Sequence, residues 1–130
     1  MQSMHDDASP HSSAPAQTLP ELALRLKHFA QARDWGQFHA PKNLASALIV
    51  EAGELLEHFQ WLTEAQSREL GPEQKQAVAH EMADVLLYLV QLARSLNIDL
   101  MQAAREKMVL NALKYPAPDA GKPAGSGTGA

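Results

Sequence analysis

Residues 81–92 read EMADVLLYLVQL, and Met82, Val85, Leu86, Leu87, Leu89, Val90 and Leu92 leave almost no direction round a helix free of apolar side chains. A helix wetted on one face carries an apolar stripe rather than an apolar cylinder. The segment therefore predicts a helix covered by its own bundle on one side and by another subunit on the other, the alternative being a helix central to a tightly wrapped monomer. The Gly71-Pro72 break and the Asn97-Ile98-Asp99 turn bound this helix at about Glu73 and Ser95. Upstream, a second helix is expected over roughly Lys42–Thr63. A first begins at Thr18, where Thr18-Leu19-Pro20-Glu21 is a capping-box pattern with Pro in the first turn, and runs to about Arg33. Downstream, Asp99 with Gln102 caps a helix ending near Lys114, before Tyr115-Pro116. Leu, Ala, Glu, Gln, Lys and Met dominate throughout, and nothing alternates with a period of two. Short connections favour antiparallel neighbours. The expected fold is an all-α antiparallel four-helix bundle assembled as a homo-oligomer.

The ends of the 130-residue chain are of different character. Segments 1–17 and 116–130 are rich in Pro, Gly, Ser and Ala, and lack the apolar surface that offsets the entropy of ordering. Disordered tails are expected there, flanking one helical domain over 18–115. A domain of that size is marginal alone, which self-association remedies. The absence of cysteine excludes disulfide scaffolds, thiolate nucleophiles and Cys-ligated zinc. No apolar run reaches the ~20 residues of a membrane span. The start, with Asp6 and Asp7 and no apolar stretch behind a basic end, does not read as a signal peptide, so a soluble, cytoplasmic protein is expected. A net charge of −4 speaks against a nucleic-acid polymer as partner, yet permits a small anion held through a metal.

Four carboxylates fall where apolar residues belong. Leu44, Leu48, Leu55 and Leu62 define the stripe of the second helix. At about 100° per residue, Glu51 projects into its middle and Glu54 onto its edge, with His58 and Trp61 continuing that side. Glu57 points away and reads as solvated surface. In the third helix, Glu81, Asp84 and Tyr88 run along the flank of a stripe formed by Val78, Met82, Val85, Leu89, Leu92 and Leu96. E-x-x-E on one helix and E-x-x-D on the next are pairs of i,i+3 neighbours that can aim at a shared point. A single such pair is ordinarily solvated, since Glu is a good helix former. Two pairs on successive helices, each on or beside an apolar stripe, point to a site. Removing a carboxylate from water costs several kcal/mol, and neither helix carries a basic residue on that face. A hard cation with all-oxygen ligation, magnesium or manganese, answers both facts.

Trp35, Phe38, His39, Phe59, Trp61 and Tyr88 lie on the loops and faces bordering these acids. Aromatic faces stack on nucleobases; Phe59 reads better as core packing, and an isolated loop histidine is commonly just exposed. Lys107, Asn111 and Lys114 share one face of the last helix, with Tyr115 following. They suit a polyphosphate, or else complement the negative helix terminus.

Taken together, RDWGQFHAPKNL (33–44), EAGELLEHFQW (51–61), EMADVLLYL (81–89) and KMVLNALKYP (107–116) resemble the MazG-like all-alpha nucleoside triphosphate pyrophosphohydrolases, most closely their dCTP pyrophosphatase branch. The match covers about Leu24 to Pro116. The resemblance implies that Glu51, Glu54, Glu81 and Asp84 are magnesium ligands and catalytic residues. It implies that Trp35, Gly36, Gln37, Phe38, His39, Trp61 and Tyr88 contact the nucleotide, and that Lys107, Asn111, Lys114 and Tyr115 reach its phosphates. It also implies a homo-oligomer, commonly a dimer-of-dimers tetramer. One departure stands out: Leu26 occupies the first-helix position where the eukaryotic dCTP enzymes carry a substrate-contacting histidine, so strict preference for dCTP does not transfer.

The activity so implied is hydrolysis of the alpha–beta phosphoanhydride of a (deoxy)nucleoside triphosphate, dCTP or a modified dCTP, to the monophosphate and pyrophosphate, in nucleotide-pool house-cleaning. The competing reading is a non-catalytic helical module that binds a nucleotide or a partner without turnover.

Overall fold

The computed structural model describes residues 14–118, and every regular element among them is helical. In chain order these are α1 (Leu19–Ala32), a 3-10 turn at Gly36–Phe38, α2 (Pro41–Glu57), a single turn α3 (Glu64–Ser67), α4 (Pro72–Ser95) and α5 (Leu100–Lys114). The disorder expected in the two tails concerns mostly positions 1–13 and 119–130, which lie outside the described residues. No helix among the described residues is long and apolar enough to cross a membrane. The chain divides into two units at Ile98/Asp99.

In the first unit, α2 packs extensively along α4, and α1 packs on α4 over a shorter stretch. Leu44, only 2% exposed, anchors the α2 side of this seam, while Val78, Val90 and Ala93 are buried on α4 and Ala30 on α1. Arg94 adds a polar tie, its Nη1 donating to the Ala23 carbonyl at 3.3 Å.

The helix starts follow the sequence. Thr18 Oγ1 accepts from the Glu21 amide at 3.2 Å, while the Glu21 carboxylate accepts from the Gln17 amide at 2.7 Å, one residue before the position of an ordinary capping box. Pro41 and Pro72 begin α2 and α4, where a missing N–H costs nothing.

The second helix is shorter than expected. It ends at Glu57, and residues 58–62 form turns in which Phe59 and Gln60 both donate to the Leu56 carbonyl at 2.9 Å. The cause is Thr63. Its Oγ1 accepts from the Gln66 amide at 3.1 Å, while the Gln66 side chain accepts from the Thr63 amide at 2.9 Å. This reciprocal cap holds Thr63 extended, at φ −72° and ψ 164°, so no helix can run through it.

α1 and α4 end alike. Asp34 and Asn97 both adopt φ 54°, a left-handed conformation that Asp and Asn tolerate better than most side chains. Behind them Trp35 donates to the Ala30 carbonyl at 2.9 Å and Ile98 to the Ala93 carbonyl at 2.8 Å, the six-to-one bond of a Schellman turn.

The second unit contains α5, which Asp99 caps by accepting from the Gln102 amide at 3.0 Å.

Candidate metal centre and adjoining pocket

The α2–α4 seam brings acids from two helices together. Glu51, near the middle of α2, meets Glu81 and Asp84 of α4, one carboxylate oxygen from each lying within 4.8 Å of the others. Oε2 of Glu51 and Oε2 of Glu81 are both buried and find no hydrogen-bond partner among the described residues. Carboxylates facing carboxylates offer each other no donor unless one is protonated. Glu51 answers in that way: its carboxyl is pushed up to about 7, first by burial, then by the adjacent Glu54, then by the charge of Asp84 and by Glu81. Among the described residues no ion pair with a basic side chain relieves the crowding. The ion pair found among the described residues is Arg68–Glu64 at 3.6 Å, away on α3.

Buried orphan oxygens on two helices with no basic partner fit a divalent cation, and an all-oxygen donor set suits a hard one. Of the four acids singled out by the sequence, Glu51, Glu81 and Asp84 converge as a possible ligand set. Glu54 stands beside Glu51 rather than within it.

Adjoining this centre is a pocket of about 170 Å³ between α1, the α1–α2 loop and α4. Leu26, Phe29 and Ala30 come from α1, Trp35 and His39 from the loop, and Asp84, Leu87, Tyr88 and Gln91 from α4. The Schellman turn at Asp34 reverses the chain so that Trp35 folds back onto its own helix. There the Trp35 and Phe29 rings meet edge to face, their centroids 5.6 Å apart. The Arg33 guanidinium lies 3.4 Å from the centre of the Phe29 ring and donates to the Phe29 carbonyl at 3.1 Å, stiffening this wall.

The pocket collects Trp35, His39 and Tyr88 from the residues expected to contact a nucleotide. Gly36, Gln37 and Phe38 form the 3-10 turn between Trp35 and His39, with Gln37 Nε2 donating to the Asp34 carbonyl at 3.1 Å. Trp61, 87% exposed, sits in the turns after α2 and is not among the pocket residues. Lys107, Asn111 and Lys114 belong to α5 and Tyr115 is its C-cap, all within the second unit. Lys114 Nζ there lies 5.3 Å from the centre of the Tyr115 ring. The lining also includes Phe29, Ala30, Leu87 and Gln91, which the motifs of the sequence do not single out. For Gln91 a signal existed: it is a polar residue inside the apolar run 85–93, three residues after Tyr88 and seven after Asp84.

The geometry defines a class, all-helical proteins in which two packed helices oppose clustered acids beside an aromatic pocket, and comparison with known proteins gives the family. The MazG-like family model matches residues 47–125, a span containing all four acids. Human dCTP pyrophosphatase 1 is 43% identical over 116 residues, covering 86% of this chain and 68% of that protein. Its rat counterpart is 42% identical over 111 residues, covering 84% and 65%. A crystal structure of a pyrophosphatase from Archaeoglobus fulgidus superposes with a TM-score of 0.72 at 36% identity, over 82% of this chain and all of that one. The chain belongs to the MazG-like family. It spans 64–68% of the length of the curated relatives it matches.

Proposed function

We propose that the protein is a magnesium-dependent nucleoside triphosphate pyrophosphohydrolase that cleaves the alpha–beta phosphoanhydride of dCTP or a modified dCTP, releasing the monophosphate and pyrophosphate and so removing surplus or damaged nucleotides from the pool. The observation that carries the reading is the double membership of Asp84. It belongs both to the acid cluster and to the wall of the aromatic pocket, so a base in the pocket hands its phosphates toward the acids. The names of the relatives, dCTP pyrophosphatase 1, support the same chemistry.

In this reading Glu51, Glu81 and Asp84 hold the metal, with manganese a workable substitute. What a bound ion supplies is neutralisation of phosphate charge and a more acidic water. Glu54, next to Glu51, is our candidate for accepting that water's proton. Trp35 and Tyr88 bracket the base, and His39 offers a polar contact. The family pattern also assigns nucleotide contacts to Gly36, Gln37, Phe38 and Trp61, and phosphate contacts to Lys107, Asn111, Lys114 and Tyr115; substitution of each checks it.

The protein is further proposed to be a homo-oligomer, a dimer of dimers. Ile49 and Leu56 on α2 are 70% and 62% exposed, and Met82 and Leu86 on α4 are 56% and 40% exposed. Seven and four residues apart, each pair shares one helix face.

The test is chromatography of the products of a nucleotide panel with magnesium. Monophosphate with pyrophosphate is expected; diphosphate with orthophosphate overturns the assigned bond, and tight binding without turnover leaves a non-catalytic nucleotide module.

A further inference from the structure

We infer that Gln91 reads the pairing edge of a pyrimidine base in the α1–α4 pocket, and that it does so with an amide free to turn over, so that amino- and keto-pyrimidines are both accepted. The inference rests on the nucleotide reading above and deepens it by naming the substrate range.

Gln91 lines the pocket together with Tyr88 and Asp84 on the same face of α4. Its Oε1 is buried and accepts no hydrogen bond from any described residue. Buried polar atoms of a folded protein are nearly always paired, so this carbonyl lacks the donor that would normally justify its position. Two consequences follow. A pocket ligand bearing an N–H relieves an existing penalty. And since no described residue donates to Oε1, no hydrogen bond pins that end of the amide, while the terminal torsion of Gln is soft and roughly two-fold.

The size of the pocket narrows the ligand. At about 170 Å³ it is smaller than the roughly 300–1,000 Å³ of sites that enclose drug-sized ligands, which suits a single ring with its sugar and phosphates outside. A carboxamide matches both kinds of pyrimidine edge. Cytosine offers a 4-amino donor beside an N3 acceptor, so Oε1 accepts the first and Nε2 donates to the second. Uracil offers an O4 acceptor beside an N3–H donor, and the same amide turned by half a revolution pairs with both. Leu26, Phe29, Ala30 and Leu87 supply the apolar part of the lining.

The experiment is calorimetric binding, with magnesium, of the non-hydrolysable alpha,beta-methylene analogues of dCTP and dUTP to the wild-type protein, Gln91→Glu and Gln91→Leu, alongside kcat/KM for dCTP and dUTP. Circular dichroism monitors folding. Wild-type protein is expected to bind the two analogues within about tenfold of one another. Gln91→Glu keeps an acceptor for the cytosine 4-amino group or the uracil N3–H but sets a second oxygen against N3 or O4, and is expected to lose about 10- to 100-fold on both analogues. Gln91→Leu weakens both together. The inference is overturned if the wild type separates the two analogues by more than about tenfold, if Gln91→Glu or Gln91→Leu leaves the binding of either analogue unchanged, or if neither analogue binds. Binding of this pattern without turnover would sink the hydrolase reading and leave the role of Gln91 standing.

Discussion

In the metal-free protein the carboxyl of Glu51 holds its proton up to a pH of about 7, against an ordinary value of 4.5, because burial and the neighbouring acids all oppose its charge. A raised folded-state value means that the folded form binds the extra proton. The stability it contributes is complete below the unfolded value and disappears as pH rises through the folded one. In chelator, the unfolding midpoint is therefore expected to fall as pH rises from 4.5 to about 7. Gln in place of Glu51 flattens that segment and raises the metal-free midpoint at pH 8 by a few degrees, while activity drops at least a hundredfold. Thermal scans across pH with and without magnesium read this directly, and a midpoint lowered by Glu51→Gln at pH 8 contradicts it. The convergence of Glu51, Glu81 and Asp84 was legible in the sequence because Glu51 interrupts one apolar stripe and the other two run beside the next. Gln91 interrupts an apolar run less loudly, and its pocket is assembled from three elements whose mutual placement no periodicity records.

The elements of the first unit owe their lengths to their ends. Asp34 and Asn97 close α1 and α4 in the left-handed conformation. Asp34→Gly is expected to leave stability nearly unchanged, whereas Asp34→Val costs about 1–2 kcal/mol. Because Trp35 is the next residue and lines the pocket, Asp34→Val should also raise KM well beyond any loss in kcat; equal effects on both would detach Trp35 from substrate binding. Leu44, the most buried side chain of the α2–α4 seam, predicts a loss of about 2–5 kcal/mol on truncation to Ala, measured by denaturant unfolding. The helices α1, α4 and α5 were legible from Thr18, Gly71-Pro72, Asn97 and Asp99, residues whose backbone preferences act locally. The end of α2 was not, because Leu62 continues its apolar spacing past the true end. The competing signal is Thr63 with Gln66, a reciprocal cap that starts α3 afresh.

At the scale of the whole molecule, burial is sparse for a chain so rich in leucine. Only Ala30, Leu44, Val78, Val90 and Ala93 are buried among the described apolar residues. The apolar cylinder at 82–92 matches this: Val90 is buried in the unit's own core, while Met82 and Leu86 face outward. If a second copy covers them, light scattering gives a multiple of the monomer mass, and Leu86→Glu shifts it toward the monomer. A wild-type monomer at micromolar concentration would remove that proposal while leaving the α2–α4 seam and its acids intact. The α2–α4 seam is proposed to hold a divalent cation. Titration calorimetry of manganese into the wild type, Glu81→Gln and the surface control Glu57→Gln tests it most directly. Wild type and Glu57→Gln should bind alike and Glu81→Gln at least tenfold more weakly; equal affinity in all three would contradict the account.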